Sequence, residues 1–272
     1  MLKIPLEPVE SVTVTTLMDN VSDLLLQDQG PAKRASINDE SAPRAAARFV
    51  EAGAVGDPLR AEHGFSALVS IRKGDRTRNV LFDAGISPDG VVENMRRLSF
   101  SPKDIEAMVM SHGHFDHTVG LDGLASELGT VNLPVMVHPE FWSRRRIAIP
   151  GRNASELPTT SKSALVGAGF EVIEDRQPSF LLDGSLLITG EVDRTTEYEK
   201  GFSVHQAFRD GGWQPDPLIL DDQALILNVR GKGLVVLTGC GHAGIVNIVR
   251  YAKKLTGVND VYAAIGGVHL NG

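Results

Sequence analysis

Short stretches of alternating apolar and polar residues are spread along the whole chain. "VTVTTLM" (residues 12–18) is the first, a β-branched run that predicts a strand ending at Asp19-Asn20. "SALVSIRKGDRTRNVLFDAG" (66–85) reads as two strands folded about "KGDR", and "QALILNVRGKGLVVLTG" (223–239) as a second hairpin about "RGKG". Shorter runs at 105–110, 133–138, 170–174, 179–182, 185–189 and 260–267 predict further strands. Helical spacing is clearest in "HAGIVNIVRYAKKL" (242–255), with apolar residues at 245, 248, 249, 252 and 255 and a stop at Thr256-Gly257. Residues 88–98 and 120–128 also read as helices.

Three regions break the pattern. Residues 26–60 are polar, Ala-rich and dotted with Gly and Pro, which predicts an insertion or lid with one short helix at 43–52. Residues 140–168 are mixed, and 192–217 read as loop. Strand hairpins and strand–loop–helix units occur in both halves without an internal repeat. That predicts one α/β layered domain over 1–272, with two sheets and outer helices.

Composition narrows the function. The 272 residues are 42% apolar and 22% charged, enough for a soluble protein with a buried core. A net charge of −7 gives no sign of the basic face that grips nucleic acid. No run of about 18 uncharged apolar residues exists to span a membrane. The N-terminal residues lack the pattern of a signal peptide, and the one cysteine, Cys240, excludes an internal disulfide. The expectation is a cytoplasmic protein that acts on a small molecule, without nucleic acid or membrane as partner.

The densest chemistry is "SHGHFDH" (111–117), which holds three of the eight histidines. Residues i and i+2 of an extended segment point the same way, so His112 and His114 can converge on one ion. Asp116 and His117 come where the chain turns toward a helix and can face a neighbouring ion. Neutral imidazole suits zinc, and also iron, nickel or manganese. Gly113 keeps side-chain bulk out of the loop.

His-x-His-x-Asp-His after an apolar strand resembles the signature of the metallo-β-lactamase superfamily. "LFDAG" (81–85) is similar to that fold's early strand-end Asp-x-Gly, and "LVVLTGC" (234–240) to its late strand leading to a metal ligand. "DN" (19–20), "EHGFS" (62–66), "TGE" (189–191), "TGCGHAGI" (238–245) and "IGGVHL" (265–270) narrow the resemblance to one subgroup. This is the group resembling 7,8-dihydropterin-6-methyl-4-(β-D-ribofuranosyl)aminobenzene-5'-phosphate synthase. The resemblance implies an αββα sandwich with one or two Zn2+ ions, or Fe or Mn, between the sheet edges. It implies His112, His114, Asp116, His117, His242 and His269 as ligands, with Asp116 and His117 nearest the chemistry. Two departures stand out. Gly241 replaces the subgroup's usual Ser, and the chain stops at Gly272, short of the subgroup's final helix and "His-Cys-Thr-Gly" strand end. The expectation is a chain that lacks this C-terminal segment.

Other residues take roles by the same resemblance or by their setting. Asp83 would orient a ligand histidine from behind, or stabilise the turn before Gly85. His63 would face the substrate or a metal, or sit as a satisfied loop histidine, and Asp19 and Asn20 would tie a loop near the metals or cap it. Cys240 reads either as a buried apolar residue or as a thiolate ligand. Glu191 is a candidate late carboxylate. His138 reads as structural and His205 as exposed in a polar loop. Arg144, Arg145 and Arg146 would bind a substrate phosphate or carboxylate, or form a solvated face. "GCGHAG" lacks the Lys-Ser/Thr of a phosphate loop. Cys240 and His242, two residues apart, do not make a nucleophile–base triad.

The reaction expected is metal-assisted hydrolysis of an ester, thioester, lactone, amide or phosphoester, with two cations about 3.5–4 Å apart sharing a water. The subgroup implies an alternative, a synthase that joins a reduced pterin to a ribosylaminobenzene phosphate with loss of diphosphate. A third reading, of another class, is a metal-binding sensor or partner-binding protein without turnover.

Overall fold

The structure, a computed structural model, describes residues 5–35, 43–130 and 132–269. Strand β1 (Ser11–Met18) is followed by a ribbon of β2 (Arg44–Ala46) and β3 (Ala54–Gly56). The hairpin β4 (Ser66–Lys73) and β5 (Arg76–Phe82) comes next, then α1 (Gly90–Arg97), β6 (Ile105–Val109), α2 (Leu121–Leu128) and β7 (Leu133–Val137). After them come β8 (Arg145–Ile147), β9 (Ser155–Glu156), α3 (Lys162–Gly167), β10 (Phe170–Glu174), β11 (Ser179–Leu181) and β12 (Leu186–Ile188). A hairpin of β13 (His205–Arg209) and β14 (Gly212–Pro215) precedes β15 (Ala224–Val229), β16 (Gly233–Thr238), α4 (Ile245–Thr256) and β17 (Val261–Gly266).

Two sheets carry the fold. One has six strands in the order β1-β4-β5-β6-β7-β10, antiparallel up to β5 and parallel beyond it. The other has five, β11-β12-β15-β16-β17, with only the β16–β17 pair parallel. Strand alternation sorts the side chains into layers. Val69, Val80, Phe82 and Val109 of the first sheet meet Ile188, Leu225, Leu227 and Leu237 of the second. Their neighbours Leu68, Leu81 and Met108 point the other way, against Val91 and Met95 of α1, Leu124 of α2 and Leu165 of α3. On the far side, Ile226 and Val236 receive Ile248, Tyr251 and Leu255 of α4. Each of these side chains stabilises the fold by about 1.5–3 kcal/mol on leaving water. The result is an αββα sandwich.

Three expectations need correction. The helix expected at 43–52 is the β2–β3 ribbon. That stretch has no apolar face to bury, since Phe49 is 93% exposed, and Gly53 turns the chain at φ 70°. Residues 36–42 of the expected insertion lie outside the described residues, as do 1–4, 131 and 270–272. The loop expected at 192–217 contains the β13–β14 hairpin. It turns at Asp210-Gly211, both with positive φ, in the Asp-Gly pattern favoured by tight hairpins. The arginine run is split between the surface and the interior. Strand β8 alternates, so Arg145 points inward and is 2% exposed, while Arg144 pairs with Glu156 outside. Strands β8, β9, β13 and β14 form a small third sheet.

Glu140 joins this small sheet to the main body, 2.9 Å from Arg176 and 3.1 Å from Arg209. Burial opposes its charge, but the two guanidinium groups prevail and hold its pKa near about 2. A carboxylate with a depressed pKa stabilises the fold above its unfolded pKa and ceases to do so as pH falls through the folded value. The side chain is partly exposed, so solvent screening reduces the effect to roughly 1–2 kcal/mol at pH 7. We expect Glu140→Gln to lose this stability at neutral pH in urea denaturation. The gap from the wild type should shrink below about pH 4.5 and close near about pH 2.

Candidate metal centre

Parallel pairing brings strand ends side by side, and the site is built at those ends. Asp83 follows β5, the 111–117 loop follows β6, residues 239–242 follow β16 and 267–269 follow β17. Asp83 has a φ of 60° and is fully buried. Its carboxylate accepts from the Ser111 amide, the Ser111 hydroxyl and His117 Nδ1, each at 2.6 Å. The loop then passes Gly113, whose Cβ, if it had one, would lie 2.0 Å from the Phe141 carbonyl oxygen. A 3₁₀ turn, Phe115–His117, presents Asp116 and His117.

The segment before β15 fastens the two sides together. Asp221 Oδ2 accepts from the Gly113 amide at 2.8 Å, and the Gln223 side chain donates to the Met110 carbonyl at 2.9 Å. Asp222 Oδ2 accepts from the Ala243 amide at 2.8 Å. The predicted helix 242–255 begins only at Ile245, which leaves His242 in a turn beside the cluster.

Three overlapping sets of side chains each bring their ligand atoms within 4.8 Å of one another: His112, His114 and His242; His112, His117 and Cys240; and Cys240, His242 and His269. The His112 and His114 rings are edge-on with nitrogens 3.0 Å apart, and the His242 and His269 rings stack at 5.2 Å. Cys240 Sγ lies 2.9 Å from His117 Nε2. Asp116 Oδ2 lies 3.4 Å from His117 Nε2 and 3.6 Å from the exposed His63.

Burial first, and neighbouring imidazoles second, push the pKa values of His112 and His242 well below the ordinary histidine value. Burial and the nearby Arg145 do the same for His114. These rings are therefore uncharged, with lone pairs available to a cation. Burial opposes a charge on His117 as well, but Cys240, Asp83 and Asp116 together raise its pKa well above the usual value. Burial raises the Cys240 thiol against the pull of His117. For Asp116, burial is outweighed by the His117 hydrogen bond and nearby imidazoles, and its pKa falls to about 2.

These residues fit a metal ion. His114 Nε2 and His242 Nε2 are buried without a hydrogen-bond partner among the described residues, an unusual state for ring nitrogens. A set of nitrogen, sulfur and carboxylate donors suits a borderline-soft divalent cation.

A model of the metallo-beta-lactamase superfamily matches residues 61–252. The chain belongs to that superfamily. It is 31% identical over 219 residues to the 7,8-dihydropterin-6-methyl-4-(beta-D-ribofuranosyl)-aminobenzene-5'-phosphate synthase of Methanocaldococcus jannaschii, covering 78% of this chain and 72% of the relative. An uncharacterized protein of the same organism, MJ0448, is 34% identical over 78% of this chain and 74% of its own. Among solved structures, the metal-dependent hydrolase Tm1679 of the beta-lactamase superfamily superposes with a TM-score of 0.64. It is 22% identical, over 94% of this chain and 76% of its own, and shares the superfamily fold.

Other candidate residues sit elsewhere. Glu191 is not at the centre: it pairs with His138 at 3.1 Å and Arg176 at 2.7 Å. The Asp19 carboxylate caps the Asn20 amide, and the Asp19 carbonyl accepts from Glu62, so this pair fastens the "EHGFS" segment only through the backbone. His138 is buried with both ring nitrogens engaged, by the Glu140 amide and by Glu191. His205, expected to be exposed, is 3% exposed, with its ring 5.0 Å from that of His114. Burial, and then Arg145, lower its pKa to about 4. The Asp210-Gly211 turn was the signal in the sequence that could have found this strand. A cavity of about 280 Å³ opens behind the ligand turn, lined by Phe115, Thr118, Leu121, Thr160 and Phe170 rather than by the imidazoles. Among the described residues no helix is long and apolar enough to cross a membrane.

Gly113→Ala would drive a methyl group into the Phe141 carbonyl and displace the loop between His112 and His114. Elemental mass spectrometry on this variant is expected to show loss of at least half the bound metal. Thermal unfolding should show a destabilisation of about 1–3 kcal/mol.

Proposed function

We propose that this chain is a metal-dependent hydrolase of a small-molecule ester, thioester, lactone or phosphoester. The reading is carried by the convergence of uncharged imidazoles with Asp116 and Cys240 where strand ends of the two sheets meet. His112, His114 and His242 would hold one cation, and Asp116, His117 and His269, with Cys240 between the groups, a second. Zinc suits this donor mixture, with iron or manganese as alternatives. When bound, such a cation polarises a substrate oxygen and brings the pKa of a water toward neutrality.

The chain's own residues do the rest. Asp116 is ionised at neutral pH and accepts the hydrogen bond of an attacking water. Asp83 fixes the His117 ring through Nδ1, so that Nε2 faces the centre. His63, exposed at the rim beside Asp116, faces the substrate. No serine or cysteine nucleophile is needed. The single buried cysteine and the acidic balance suit a cytoplasmic enzyme of small molecules, with no nucleic acid or membrane as partner.

A second reading, a synthase that transfers a group with loss of diphosphate, is favoured by the 31% identity to the dihydropterin-linked synthase. The same ligands would serve it by holding diphosphate oxygens.

Metal content of the wild type, Asp116→Ala and His242→Ala tests the centre. About two equivalents in the wild type, falling to about one or none in the variants, are expected. Loaded protein should then cleave at least one member of a panel of phosphoesters, thioesters and lactones. Turnover only with the dihydropterin and ribosyl phosphate substrates would establish the synthase instead. Absence of metal even after reconstitution would sink both, and full loading without any turnover would leave a sensor.

A further inference from the structure

One imidazole stands beside the donors without being one of them. The His205 ring is 5.0 Å from His114 and 6.1 Å from His242, steeply inclined to both at 78° and 63°. Among the described residues, no set of three ligand atoms within 4.8 Å includes it. Its Nδ1 is buried without a hydrogen-bond partner among the described residues. His138 shows what a structural histidine looks like in this fold, with both nitrogens engaged. His205 is buried as deeply and left unsatisfied, at the edge of the centre.

The ring is also held in place. The His205 amide donates to the Phe202 carbonyl at 3.1 Å, and its own carbonyl accepts from the Asp216 amide at 3.0 Å. The Phe202 ring packs edge-on against it at 4.7 Å. Arg145 binds Asp216 at 2.9 Å and Asp221 at 2.5 Å, and Asp221 in turn holds the Gly113 amide. One guanidinium therefore ties the hairpin carrying His205 to the loop carrying His112 and His114. It also occupies both neighbouring carboxylates, with help from Arg209 on Asp216, so neither is left free to repel an anion.

We propose that His205 is a substrate-binding residue that donates an N–H hydrogen bond to an anionic oxygen of the substrate, a phosphate or carboxylate, drawn to the metal centre. A donor already fixed beside the place where charge gathers costs no reorganisation when the anion arrives. The inference rests on the metal-centre reading above and adds the class of group that reacts there. It also gives the β13–β14 hairpin a function, as the element that selects for the anion.

The test uses the full chain loaded with zinc and inorganic phosphate as the probe, in the wild type, His205→Ala and His205→Gln. Zinc content and zinc affinity should be the same in all three. Phosphate affinity by calorimetry should fall about tenfold in His205→Ala, the loss expected for one hydrogen bond to a charged group. His205→Gln, which keeps an N–H donor, should stay within about threefold of the wild type. Unchanged phosphate affinity in a folded His205→Ala would overturn the proposal, as would a fall in His205→Gln equal to that in His205→Ala, or loss of zinc, which would make His205 a ligand. Loaded wild type that ignores phosphate would also overturn it, with the metal centre intact. Wild type that takes up no zinc would instead bring down the reading on which the proposal rests.

Discussion

The carboxylate of Asp83 takes three hydrogen bonds of 2.6 Å in full burial, two from Ser111 and one from His117. A buried charge is tolerated only when its lone pairs are engaged in this way. Here the engagement also does structural work. It welds the end of β5 to the end of β6, holds the first residue of the ligand loop, and decides which nitrogen of His117 faces inward. Asp83 sits at a positive φ that a non-glycine residue adopts at some cost. The hydrogen bonds offset that cost, and they fix Ser111 and His117, the two ends of the 111–117 loop.

The second sheet answers with the "DDQ" segment, residues 221–223. Its three side chains reach the early loop at Gly113 and Met110 and the late loop at Ala243. The first sheet thus orients its imidazoles from within, through a carboxylate. The second sheet holds the loops of both sides from a single point. Arg145 extends that point outward to the small third sheet, so the interior of the site and the hairpin at its edge share one set of charges.

Much of this was legible in the sequence because it is local. The hairpins at 66–82 and 224–238, the strands ending at the ligand loops and the helix after "GCGHAG" all declare themselves by periodicity, and the "SHGHFDH" spacing needs no tertiary knowledge. What was hidden is what depends on distant partners. Arg145 reads as one of three surface arginines until β8 pairs with β13 and turns it inward. His205 reads as a loop residue because its hairpin is short and polar, and its burial comes from packing against the remote His114 as well as the nearby Phe202. Glu191 sits in a family-like motif, yet His138 and Arg176, both remote in the chain, claim its carboxylate. The ribbon at 44–56 reads as a helix for the opposite reason: alanine-rich composition favours a helix only where one face has something to bury.

The contact between His117 and Cys240 spans 123 residues of chain. Neither sheet can assemble the cluster alone. The early loop can form as soon as β5 and β6 pair, but its nitrogens meet the late loop only when the two sheets close over Phe82, Val109 and Leu237. Contacts of such long range form late, because the entropy of closing the intervening loop must be met first. Completion of the site and expulsion of water from the core are therefore one event in folding, and a partly folded chain would carry the motif without the centre.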